Sequence, residues 1–205
     1  MPPNKDPKAV FYQYFPKDSI EYCFGLWQKH NFHFNIKKKR NTKLGDYRYS
    51  FVDKSHTITV NADLNPFAFL ITYLHEVAHL IVQVSYKSGI DPHGAEWKNT
   101  FRNISAPMLN SEIFPDNVLG ALNNYFKNPK ASSCADPVLM KALHTYNIVG
   151  SEFKMLSELN IGVVFEFNGR QFLKEEVRRT RVLCKETASG RRFLISKIAV
   201  VSMVI

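Results

Sequence analysis

The chain has 205 residues, of which 45% are hydrophobic and 22% charged, with a formal net charge of +9. That composition excludes a disordered, collagen-like or disulfide-scaffold chain and allows one ordinary domain plus a small second one. The charge divides as +5 over residues 1–150 and +4 over residues 151–205, so the last quarter is the more basic per residue.

Residues 6–15 read as a short helix ended by Pro16. A second helix runs from a cap at Asp18 or Ser19 to about His30, with Ile20, Cys23, Leu26 and Trp27 on one face. Phe32, Phe34 and Ile36 then alternate with polar neighbours, the period of a half-buried strand. After the basic run Lys37-Lys38-Lys39-Arg40 and a turn at Leu44-Gly45-Asp46, residues 47–52 and 56–60 read as two further strands. Asn65 and Pro66 supply a cap and a first-turn proline for a long helix over about 67–85, which Gly89 and Pro92 terminate. Another helix starts near His93-Gly94 and continues through Trp97 and Phe101, and two more are expected over 115–126 and 137–146. From Ile161 the pattern is all-β. Residues 162–167 and 171–174 flank the hairpin signal Asn168-Gly169, and residues 177–185 and 192–201 supply two more strands. The expected division is a main domain over 1–128, a linker with a short helix over 129–155, and a small basic β module over 156–205.

The first residues lead into no apolar segment of the secretory type, and the apolar run over 67–84 is interrupted by His75, Glu76 and His79. A soluble, cytoplasmic protein is expected. Three distant cysteines, Cys23, Cys134 and Cys184, form no CxxC pair and read as reduced thiols.

His75-Glu76-Val77-Ala78-His79 is an H-E-x-x-H motif in the middle of the long helix. Residues four apart on a helix lie one turn apart and point the same way, so two imidazoles can grip one ion. Glu76 is offset around the helix and can reach a water on that ion without ligating it. The helix is apolar nearly all round, so it is buried, and a buried pair of histidines with a carboxylate needs partners. A hydrolytic zinc site takes three protein ligands and leaves one position open. His93 is the expected third ligand, with Trp97 one turn on to pack behind it; Asp91 and Glu96 are the other candidates. His30, His33, His56 and His144 read as surface, strand or core residues. One zinc ion on His75, His79 and His93, with Glu76 as general base, predicts a metallopeptidase acting on a protein or peptide substrate. The strand over 56–61 is expected to line the cleft, and Tyr47 and Arg48 are candidates for stabilising an oxyanion. The rival reading is a non-catalytic zinc-stabilised module binding nucleic acid or a partner; Glu76 has no role in such a site.

A basic surface attracts polyanions without regard to sequence. Lys37, Lys38, Lys39, Arg40 and Lys43 lie near the metal motif's strands, and Arg170, Arg178, Arg179, Arg181, Arg191 and Arg192 lie in the β module. Arg179 and Arg181 would share a strand face, and Phe165, Phe167 and Phe172 would offer stacking surfaces. Weak, salt-sensitive, sequence-independent DNA binding is expected.

His75-Glu76-Val77-Ala78-His79 followed by His93-Gly94-Ala95-Glu96-Trp97 resembles the SprT-like (Spartan-type) zinc metalloprotease domain, whose signature is HExxH and then a His-Gly with an aromatic. Residues 42–47 and 56–61 are similar to that family's glycine turn and the strand before its active-site helix. The resemblance covers about residues 20–101. It implies an α+β, minigluzincin-like core with zinc-dependent peptidase chemistry and, in eukaryotic relatives, the clearing of proteins crosslinked to DNA. Many members carry a C-terminal zinc ribbon with paired CxxC motifs; this chain has only Cys184 in that region and resembles the bacterial type without the ribbon.

Overall fold

The computed structural model describes residues 6–40, 42–86, 89–130, 136–147 and 153–204. The chain is α+β and divides into two compact units, Met1–Asn147 and Ile148–Ile205.

In the first unit, α1 (Ala9–Tyr14) and α2 (Ile20–His30) precede a three-stranded sheet of β1 (His33–Lys37), β2 (Gly45–Ser50) and β3 (Ser55–Asn61). α2 has no side-chain cap: the Ser19 hydroxyl donates to the Pro16 carbonyl instead, so the capping expected of Asp18 or Ser19 does not form. The sheet order is β1-β3-β2. β3 is central, parallel to β1 and antiparallel to β2, and β2 is an edge strand. Ile58 and Val60 of β3 are fully buried against the helices.

α3 (Pro66–Tyr86) is the longest element. Its start follows the expected chemistry: Asn65 Oδ1 accepts from the Ala68 N–H at 2.9 Å, and Pro66 occupies the first helical position. By length and composition α3 is apolar enough to cross a membrane, but eleven of its 21 residues are buried in the core of this unit. α4 (Ala95–Ser105) packs on α3 and buries Trp97 and Phe101. α5 (Asp116–Tyr125) and α6 (Pro137–His144) close the unit. α6 falls within the range expected to be a linker, yet Leu139 and Leu143 are buried in the same core as α3, and Asn65 Nδ2 donates to the Leu143 carbonyl at 2.8 Å. This unit therefore runs later than residue 128.

The second unit is a six-stranded sheet in the order β4-β9-β5-β6-β7-β8. Its strands are β4 (Phe153–Met155), β5 (Val164–Phe167), β6 (Arg170–Val177), β7 (Arg181–Glu186), β8 (Arg192–Ser196) and β9 (Val200–Met203). Asn168 and Gly169 both have positive φ (53° and 73°), as a tight hairpin between β5 and β6 requires. Two sequence expectations change here. Val177 ends β6 instead of opening the next strand, and the segment over 192–201 is two strands separated by a turn. Phe165, Phe172, Val182, Cys184, Ile195 and Val201 form a separate small core. Lys174 is only 2% exposed and places its ammonium on the Leu156 and Leu159 carbonyls at 2.8 and 2.6 Å, so burial of its charge is compensated by two acceptors.

Candidate metal centre

The helical spacing of His75 and His79 puts both imidazoles on one face of α3. His93 lies just before α4, in the turn that brings this helix back onto α3. Gly94 permits that turn: a Cβ there would lie 3.2 Å from both the Asp91 Cβ and carbonyl. The three Nε2 atoms converge, at 3.2 Å between His75 and His79, 3.0 Å between His79 and His93, and 3.4 Å between His93 and His75. Zinc–nitrogen bonds of about 2.0–2.1 Å in a tetrahedron separate ligand nitrogens by about 3.4 Å, so the triangle has the size that ion demands. Among the described residues this is the group of side chains arranged to hold a metal ion; Asp91 and Glu96 are not in it.

Electrostatics favour the same role. Burial, then the His79 and His93 imidazoles, push His75 down to about 2, and burial, then His93, pushes His79 down to about 4. Burial also lowers His93. All three rings are therefore neutral with lone pairs available, as metal ligation requires. Trp97 is fully buried and packs on all three, with ring centroids 4.6 Å from His75, 5.3 Å from His79 and 4.7 Å from His93. That contact fixes the orientation of the imidazoles from behind.

Glu76 is 7% exposed and stands outside the triangle. Burial first, and the Asp46 carboxylate second, push its carboxyl up to about 8, while the Tyr47 backbone N–H, Arg40 and Lys43 act in the opposite direction. A dication on the histidines would further favour the carboxylate. Glu76 meets the start of β2 so closely that a Cβ on Gly45 would lie 2.6 Å from Glu76 Oε1 and 2.7 Å from Thr72 Cγ2. Only a glycine fits there, a constraint the sequence showed merely as a turn. Asn61 holds the preceding loop in place: its Nδ2 donates to the Lys43 carbonyl at 2.9 Å and its Oδ1 accepts from Arg40 Nε at 2.7 Å.

The strand beside the centre is β2. β3, expected to line the cleft, is paired on both sides and has no free edge. Tyr47 shares a cavity of about 370 Å³ with His79 and its hydroxyl meets His56 Nδ1 at 2.9 Å. Arg48 lies on the opposite face of β2 by strand alternation and is held by Asp46 at 2.6 Å.

In the second unit, Phe165 and Phe172 are core residues, at 0% and 2% exposure, and present no surface for stacking a base. Arg179 lies in the turn before β7, so it does not share a strand face with Arg181. Arg170, Arg178 and Arg192 are paired with Glu186, Glu176 and Glu175.

No curated protein and no solved structure matches the chain. The model of one family, described as the SprT-like family, matches residues 13–117, the stretch that contains the sheet, α3, the three histidines and Trp97. With half of its length matched, this chain belongs to the SprT-like family.

Proposed function

We propose that the protein is a zinc-dependent metallopeptidase that hydrolyses peptide bonds in protein substrates. The observation that carries this reading is the convergence of three neutral imidazoles on one point with a buried carboxylate beside them that is not part of the ligand set. A purely structural site has no use for that carboxylate, whose burial raises its pKa and so opposes its charged form.

His75, His79 and His93 would hold the ion. When bound, zinc supplies Lewis-acid polarisation of the scissile carbonyl and acidifies a water molecule. Glu76 accepts the proton of the attacking water as its oxygen bonds to the carbonyl carbon, then delivers that proton to the departing amine nitrogen as the C–N bond breaks. Trp97 keeps the histidine rings from turning away. The free edge of β2 is the element to which an extended substrate adds as a further strand, through main-chain hydrogen bonds. Exposed Lys37, Lys38 and Lys39, on the segment leading into β2, support contact with a polyanion such as DNA near the cleft.

The test is digestion of an unfolded protein and of a DNA-associated protein by the zinc-loaded chain, with and without single-stranded DNA, beside Glu76→Gln. Cleavage that requires Glu76 is expected, with DNA raising the rate at low salt. Equal cleavage by Glu76→Gln would refute the assignment of the base. Zinc retention with no cleavage in any lane would favour the binding-module reading.

A further inference from the structure

We infer that β2 and the C-terminal half of α3 form a two-subsite groove that selects substrates with bulky apolar side chains at two positions, separated by one unselected residue, on the same side of the cut bond. This rests on the peptidase reading. Along β2, Gly45 faces Glu76 and Thr72, Tyr47 borders a cavity with His79 and Val82, and Tyr49 borders a second cavity with Val84. β2 and α3 thus run alongside each other from the metal centre outward. Gln83 lines both cavities, which are therefore neighbours along one groove.

The inner cavity, about 370 Å³, is bordered by Tyr47, His79, Val82, Tyr86 and Ile90. The outer, about 350 Å³, is bordered by Tyr49, Phe51, His56 and Val84. Either volume accommodates one large side chain. Tyr47 and Tyr49 are two residues apart on a strand, so they project to the same face about 6.8 Å apart. A peptide paired with the free edge of β2 repeats the same period, and its alternate side chains meet first one cavity and then the other. The intervening side chain points to the opposite face and is not selected.

The apolar surface at this corner is conspicuous by exposure. Phe51 is 82% exposed, Val84 54% and Tyr86 52%, although large apolar side chains are normally covered. Phe51 and Val84 border the outer cavity and Tyr86 the inner one, so the three lie along the groove instead of being scattered. Phe51 is held in place edge-on against Tyr49, with centroids 4.9 Å apart. An apolar substrate side chain laid on them would bury surface on both partners, at about 25 cal/mol per Å².

The experiment is a set of peptides, identical except for alanine, leucine or phenylalanine at single positions, cleaved by the zinc-loaded chain and by Phe51→Ser. Binding of the same labelled peptides to zinc-loaded Glu76→Gln, by fluorescence anisotropy, reads the preference without turnover. Leucine or phenylalanine should raise kcat/KM about tenfold over alanine at two positions separated by one indifferent residue. Phe51→Ser should reduce the outer preference to about twofold and leave the inner preference in place. Preferences at adjacent positions, no preference, or an outer preference untouched by Phe51→Ser would overturn the groove while leaving the peptidase reading intact. Peptides neither bound nor cut would overturn both.

Discussion

Gly45 is the residue at which this site has least tolerance. Its missing side chain is what lets β2 press against Glu76, and Gly45→Ala would drive a methyl into Glu76 Oε1 and Thr72 Cγ2. We expect a stability loss of about 1–3 kcal/mol from overpacking, and a fall in peptidase activity of at least tenfold from displacement of the base. Urea denaturation and steady-state cleavage, measured on the same preparation with its zinc content, separate the two effects. Nothing in the sequence around Leu44-Gly45-Asp46 distinguishes this packing glycine from an ordinary turn residue, because its neighbours come from α3, about thirty positions on. His75, Glu76 and His79 were legible because their relation is local: a helix of known pitch places them. In the sequence His93 was one candidate donor among three in its stretch; the fold brings its ring, and not the Asp91 or Glu96 carboxylate, beside those of His75 and His79.

At the level of elements, α3 is the part whose position everything else depends on, and Asn65 secures both of its ties. Its Oδ1 caps the helix at Ala68, and its Nδ2 reaches the Leu143 carbonyl of α6 and Asn147 Oδ1 at 2.7 Å. Asn65→Ala removes the cap and one of the donors to the Leu143 carbonyl, which keeps the Tyr146 N–H at 3.1 Å, for an expected loss of about 0.5–2 kcal/mol in the first unit, read by the urea midpoint. The cap was visible in the sequence as Asn-Pro before an apolar run; the bond to α6 was not, since it spans 78 residues. In the second unit, Glu186 is held by Arg170 at 2.5 Å and by the Ser189 hydroxyl. These bonds, led by Arg170, pull its carboxyl down to about 2 from 4.5. A carboxyl depressed on folding stabilises above its unfolded value, and the benefit is lost as pH falls from about 4.5 toward 2. Glu186→Gln should therefore flatten the acid limb of this unit's thermal stability between those values, followed by circular dichroism. Strand boundaries here were the least legible feature. The register slips at a bulge between Lys174 and Glu176, and the turn between β8 and β9 carries no glycine or proline to announce it.

Over the whole molecule, two separate cores and one metal-ligand set predict two responses to a chelator. If the triad holds zinc as proposed, the first unit would gain stability by mass action, about 4 kcal/mol at a thousandfold excess over Kd, which is on the order of 10 °C for a unit of this size. The second unit has no such cluster among its described residues. Calorimetry with excess zinc and then with EDTA should move one transition and leave the other. The existence of two units was legible from the change of pattern near Ile161, but the boundary was not. α6 carries an ordinary amphipathic pattern, and only its burial against the α3 core assigns it to the first unit. The most direct test of the central claim is zinc per chain and cleavage rate, measured together for the native chain, Glu76→Gln and His93→Ala. One zinc in the native chain, one zinc with a rate at least a hundredfold lower in Glu76→Gln, and weakened zinc in His93→Ala would agree with the account. Undiminished cleavage by Glu76→Gln, or full zinc affinity without His93, would contradict it.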